Sequence, residues 1–195
     1  MPRAGLNAER VVEAAADLAD ETGLDRLTVS ALARRLGVKD ASLYSHVTSA
    51  ADLRTRVALL AAREFGDRVT TAVAGRAGRD ALTAFAAAYR SFALDHPGRY
   101  AAAQIPLTPE VTTGSLGHLR MSQATYAMLR AYHLTEPDLT DAVRLLRGAF
   151  HGYCSIEAGG GFQDTRDVQA SWERNIDALH FLLERWPSSA ADAIG

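Results

Sequence analysis

The chain has 195 residues, 48% of them hydrophobic, and a formal net charge of -2. That supplies enough apolar material for a self-sufficient core, and the near-neutral balance excludes a protein that holds nucleic acid by bulk charge alone. A single cysteine, Cys154, rules out an intrachain disulfide; with no run near the roughly 18 apolar residues of a membrane span and no signal-peptide pattern, a cytoplasmic protein without a membrane partner is expected.

The first helix starts at Asn7, a good N-cap, with Leu6 and Val11 placed to form a hydrophobic staple. It runs to about Thr22 with Val11, Ala15 and Leu18 inward, and Gly23 stops it. Leu24 and Leu27 lead into LTVSALARRLGVKDASLYSHV, residues 27–47. There Thr28 caps a helix whose buried stripe is Val29, Leu32, Ala33 and Leu36. Gly37 closes it in the left-handed conformation open to glycine. Val38 plugs the turn, and Leu43 and Val47 give the following helix its inward side. The opposite side carries Lys39, Asp40, Ser42, Tyr44, Ser45 and His46, groups able to hydrogen-bond base edges and phosphates. Over residues 1–60 eight Lys or Arg face eight Asp or Glu, so a nucleic-acid reading rests on this pattern and on the local cluster Arg34, Arg35 and Lys39.

From about Ala51 to Val73 the pattern stays helical through Leu53, Val57, Leu60 and Phe65. Gly75 and Gly78 mark a turn. A second long helix carries Leu82, Phe85, Ala86, Tyr89, Phe92 and Ala93 and ends at His96-Pro97-Gly98. A short helix over Tyr100 to Gln104 follows, then a loop from Thr112 to Gly117, rich in Thr, Gly and Ser, and a helix from about His118 to Tyr132. After Pro137 come two last helices, about Asp138 to Ala158 and about Asp167 to Trp186, separated by Gly159, Gly160 and Gly161. No strand-like alternation occurs. The expected fold is all-α: a three-helix N-terminal domain over residues 1–50, then a larger helical domain over 51–195.

Gly148 and Gly152 each cost about 1 kcal/mol relative to alanine in a helix interior. With Ser155 and Gly159 they line one face as a shallow groove for another helix, and Trp172, Ile176, Leu179 and Leu183 recur at matching spacing on the last helix. The groove receives either an intrachain neighbour or a second subunit. The aromatics Phe85, Tyr89, Phe92, Tyr100, Tyr126, Phe150 and Tyr153 fall on helices able to enclose an apolar cavity. Gln104, His118 and His151 are its candidate polar contacts.

Residues 6–53, and LTVSALARRLGVKDASLYSHV above all, resemble the N-terminal domain of the TetR family of bacterial transcriptional regulators. The resemblance implies a helix-turn-helix in which Thr28 and Tyr44 contact phosphates while Lys39, Asp40, Ala41, Ser42, Ser45 and His46 face the groove. It further implies a homodimer joined by a four-helix interface of the last two helices, double-stranded operator DNA as partner, and a small-molecule effector that releases a repressor. One departure matters: family members often carry a lysine just after the recognition helix, and this chain has Ala50. The run RGAFHGYCSIEAGGGF also resembles a C-terminal subtype with a His-Gly pair in the penultimate helix.

No HExxH, GxSxG or GxxxxGK[ST] occurs, and the six histidines lack metal-ligand spacing, so neither an enzyme nor a metal or cofactor site is expected. Two other classes fit an all-α chain: an enzyme with acid–base groups in the cavity, and a module that keeps the fold and binds small molecules or proteins without DNA. Ala50 and the neutral charge around the motif are the features that favour the module.

Overall fold

The computed structural model describes residues 6–187; the outermost parts of the two expected domain ranges, 1–5 and 188–195, lie outside the described residues. The α-helices are α1 (Ala8–Thr22), α2 (Val29–Leu36), α3 (Asp40–Leu43), α4 (Ala50–Val73), α5 (Gly78–Asp95), α6 (Pro97–Ala103), α7 (Pro109–Thr113), α8 (Leu116–Leu129), α9 (Asp138–Ala158) and α10 (Val168–Glu184). Single 3-10 turns lie at Leu24–Arg26 and Arg130–Tyr132. The described residues contain no strand, as the sequence pattern requires of an all-α protein.

Local chemistry sets most of the boundaries. Asn7 accepts the backbone N–H of Arg10 at 2.8 Å and starts α1. Asp167 does the same for α10 through the N–H of Ala170, at 2.7 Å. At α4 the N–H of Asp52 donates to Ser49 Oγ at 3.0 Å, while the Asp52 carboxylate accepts from the Thr48 N–H at 2.8 Å. This is close to a capping box. Hydrogen bonds from Arg56 and then from Thr48 hold the Asp52 carboxyl below its ordinary pKa. Of the stretch 112–117, expected as loop, only Gly114 and Ser115 lie outside helices; the rest is the end of α7 and the start of α8. Pro109 presets the first turn of α7, and the Ser115 carbonyl accepts the first bond of α8 from Leu119, at 3.1 Å. Ser115 stands at the start of α8, while Thr112 and Thr113 donate their hydroxyls back to the Thr108 and Pro109 carbonyls at the start of α7.

The chain folds as two compact units that are each discontinuous in sequence. The first comprises Met1–Asp67 and Phe92–Met121. Its core joins Val11, Ala15 and Ala19 of α1, Leu32 and Ala33 of α2, Leu43 and Val47, and Leu53 and Val57 of α4 to Ala102 of α6. The three-helix N-terminal element is thus packed together with α6, far away in sequence. Two glycines make the approach possible. A Cβ on Gly98 would lie 2.1 Å from the Ala19 carbonyl carbon of α1, and one on Gly117 would lie 2.4 Å from the Ala62 carbonyl carbon of α4. Both are backbone-on-backbone contacts that no side chain can relieve.

Arg99 locks the first of these crossings. Its backbone N–H donates to Asp20 at 2.7 Å, its guanidinium donates to Asp17 at 2.7 Å and to Asp20, and Nε lies 2.9 Å from Glu64. Burial works against the charge, but the hydrogen bonds to Asp17 and Asp20 and the field of Glu64 outweigh it and hold the guanidinium above its usual pKa.

The second unit comprises Arg68–Ser91 and Ser122–Gly195. Its centre is aromatic: the Phe150 ring centroid lies 6.1 Å from Phe85, 5.5 Å from Tyr89 and 5.8 Å from Trp172. Tyr153 packs against Trp172 at 4.9 Å and donates its hydroxyl to the Val168 carbonyl at 2.8 Å. Arg90 covers Trp172 and holds Glu157 through two bonds of 2.5 and 2.7 Å. Cys154 is buried beside this cluster, and burial, with a smaller effect of Glu157, pushes its thiol up to about 11.

Gly98→Ala and Gly117→Ala should each destabilise the protein by about 1–3 kcal/mol through overpacking, a fall of several degrees in thermal midpoint at this chain length. Gly114→Ala, where an added Cβ meets nothing within 4 Å, should leave the midpoint close to that of the parent chain. Thermal melts followed by circular dichroism distinguish the three.

Candidate nucleic-acid interface

The segment 27–47 folds as its spacing predicts up to Gly37 and departs from it afterwards. Thr28 Oγ1 accepts the Ala31 N–H at 3.1 Å, which caps α2 and leaves the hydroxyl proton for an acceptor outside. Gly37 adopts φ 67° and ψ 32°. The N–H of Val38 then reaches the Ala33 carbonyl at 3.0 Å and that of Gly37 the Arg34 carbonyl at 3.3 Å, the two bonds of a Schellman closure. The reading helix itself is short. α3 spans Asp40–Leu43, and turns follow through His46. The Ser45 hydroxyl donates to the Ser42 carbonyl at 2.8 Å and tightens that exit, a local competition with helix continuation typical of serine.

Leu43 and Val47 are almost fully buried and pin one side of this turn to the core. The other side is therefore turned outward: Lys39, Asp40, Ala41, Ser42, Tyr44 and Ser45 are exposed and His46 is half-buried. Tyr44 is 56% exposed, high for an aromatic side chain. Thr28, at the start of α2, is exposed as well.

Two features escape a reading of sequence alone. Ser30 donates to the Asp40 carboxylate, so one oxygen of Asp40 holds α3 against the start of α2. Arg35 forms a two-bond pair with Glu21 of α1, which lowers the Glu21 pKa through that hydrogen bond. Of the basic cluster predicted around the turn, Arg34 and Lys39 are left with no ion pair among the described residues. Ala50 is exposed at the first position of α4, beside the Ser49–Asp52 cap.

The predicted ligand-contacting residues separate into different surroundings. Phe85, Tyr89 and Phe150 do meet, but as rings in mutual contact with Trp172, so in this state they fill the centre of the second unit rather than wall a cavity. Tyr126 and His151 are exposed. Tyr100, Gln104 and His118 belong to the first unit. There Tyr100 sits edge-on to Phe65, at 6.0 Å, and His118 Nδ1 lies 2.8 Å from Ser115 Oγ.

The predicted subunit-contact residues also divide. On α9 Gly148 and Ser155 are exposed and Gly152 half-buried, and a Cβ on either glycine would meet nothing within 4 Å. The glycines thus do not admit an intrachain neighbour. Leu145 and Ile156 extend the same stripe as exposed apolar side chains. On α10 the correction is larger: Trp172, Ile176 and Leu183 are buried within their own unit, and Leu179 is half-buried. Among the exposed residues of α10, Asn175, Ala178, Phe181 and Leu182 form a stripe about a third of a helical turn round. Amphipathic spacing identified the apolar stripe of α10, and that stripe faces the core.

No helix among the described residues is long and apolar enough to cross a membrane, and none of their His, Cys, Asp and Glu groups forms a metal-holding cluster.

Residues 11–57 match the family model for bacterial regulatory proteins of the tetR family, and residues 82–179 that for the tetracyclin repressor-like C-terminal domain. An uncharacterized HTH-type transcriptional regulator of Mycobacterium tuberculosis is 38% identical over 186 residues, which cover 93% of this chain and 84% of the relative. An uncharacterized HTH-type regulator of Bacillus subtilis, YobS, is 28% identical over 175 residues, covering 90% and 91%. The class D tetracycline repressor of Escherichia coli is 50% identical over 44 residues, 23% of this chain and 20% of its own length. Among solved structures, a single-residue variant of TetR from Acinetobacter baumannii in complex with minocycline shares the fold with a TM-score of 0.69 at 24% identity, over 95% of this chain and 100% of that one. With both halves matched and a relative of this identity over most of its length, the chain belongs to the TetR family of HTH-type transcriptional regulators.

Proposed function

We propose that this regulator is a repressor that reads a palindromic operator as a homodimer and leaves it when a small molecule binds. The observation that carries the DNA reading is the outward set on and around α3, held in the open because Leu43 and Val47 fix the other side of the same turn. Thr28 and Tyr44 donate to phosphates, which sets register, and Lys39 supplies the charge. Ser42, Ser45, His46 and Asp40 meet base edges, and Ala41 offers a methyl to thymine.

The homodimer reading is supported by the open glycine stripe of α9 and the exposed Leu145, Ile156, Phe181 and Leu182. Packed against their symmetry mates, α9 and α10 make a self-complementary four-helix interface. A two-fold dimer then reads half-sites one DNA turn apart, roughly 34–36 Å. An effector releases the operator only by binding the DNA-free state more tightly. If Phe85, Tyr89 and Phe150 receive it, their rings must part.

Tyr44→Ala should weaken operator binding about tenfold or more, the loss of a hydrogen bond to a charged phosphate, with dimerisation and thermal midpoint unchanged. A gel-shift titration at fixed salt that shows equal affinity removes Tyr44 from the interface. Ala50→Lys should steepen the slope of log K against log salt by about 0.9 for each protomer if it restores a phosphate contact; an unaltered slope places residue 50 away from the backbone. Ile156→Arg should yield a folded monomer in sedimentation velocity and lose operator binding with it, whereas a dimer of undiminished affinity overturns the α9 interface.

A further inference from the structure

A groove of about 470 Å³ in the first unit lies outside both the DNA-reading face and the aromatic cluster, and its size suits a small organic molecule. α1 contributes Glu9 and Glu13, one helical turn apart, and α4 contributes Arg56 and Arg63, two turns apart. Val12, Leu59 and Leu60 supply apolar lining, and the α7–α8 junction at Ser115 to Gly117 completes the site. The close approach of Gly117 to the backbone of Ala62 and Arg63 fixes that junction to α4.

The charges of the groove are unequally used. Arg56 is paired with Asp52 at 2.9 Å. Arg63, Glu9 and Glu13 are exposed and take part in no ion pair among the described residues. One helix thus offers unpaired negative charge and the other unpaired positive charge, with hydrocarbon surface from both. A purely anionic guest satisfies only Arg63 and a purely cationic one only the α1 carboxylates. A molecule with both charges and an apolar middle satisfies each wall and covers the lining.

We propose that this groove binds a zwitterionic small molecule with an apolar middle, its ammonium directed to Glu9 and Glu13 and its carboxylate to Arg63. Such a guest ties α1 to α4 beside the helices that carry the reading face, a route of regulation separate from the aromatic cluster. The probes are 8-aminooctanoate, octanoate and octylammonium, titrated by calorimetry into the full chain without DNA, so the outcome is independent of operator binding. 8-Aminooctanoate should bind saturably, one per chain, at least tenfold more tightly than either singly charged analogue. Arg63→Ala and Glu13→Gln, both at exposed positions, should each abolish that advantage while Tyr44→Ala preserves it. No saturable binding of 8-aminooctanoate, equal affinity for the three probes, or undiminished preference in both groove variants overturns the proposal.

Discussion

The crossing of α1 and α6 at Gly98 governs how the first unit is built. With a Cβ there only 2.1 Å from the Ala19 carbonyl carbon, the two backbones touch, and Arg99 converts contact into attachment by engaging Asp17, Asp20 and Glu64 together. A cation largely covered by protein is costly unless its partners are in place, so this crossing depends on the three carboxylates. Because Asp17 and Asp20 belong to α1 and Glu64 to α4, one arginine sets the positions of both helices that frame the reading motif. α6 and α1 are therefore in direct backbone contact, with no side chain between them at the crossing.

The reading face obeys the same logic on a smaller scale. A four-residue helix has little stability of its own, and α3 is held by anchors: Leu43 and Val47 from below, the Schellman turn at Gly37 before it and the Ser30–Asp40 bond beside it. Lys39, Ser42 and Tyr44 stay exposed because none of them is required for the core. The glycine stripe of α9 is the counterpart: a Cβ on Gly148 or Gly152 would meet nothing within 4 Å, so no neighbour within the described chain accounts for the two glycines.

What the sequence makes legible follows from which interactions are local. Caps at Asn7 and Thr28, the stop at Gly37 and the bounds of α9 depend on neighbours within a few residues, and these are predictable from the letters alone. The α7–α8 junction reads as loop because Thr, Gly and Ser serve loops and caps alike. The site residues are harder. Amphipathic spacing on α10 shows which residues are apolar but gives no sign of whether they meet their own core or another subunit, and Trp172, Ile176 and Leu183 meet the core. Likewise an aromatic run cannot announce whether its rings enclose space or fill it. The Arg35–Glu21 and Arg99–Glu64 pairs join residues that only the fold brings together, and so does the charged groove between α1 and α4.

Cys154 gives the molecule a practical property. Almost wholly buried, with its thiol pushed up to about 11, it offers scarcely any thiolate to an alkylating or oxidising reagent at neutral pH. The folded chain is chemically silent at sulfur without alteration of its core. A cysteine introduced at an exposed position of the turn after α3 would then be the lone reactive thiol of the chain, so a label attached there reports on that turn alone.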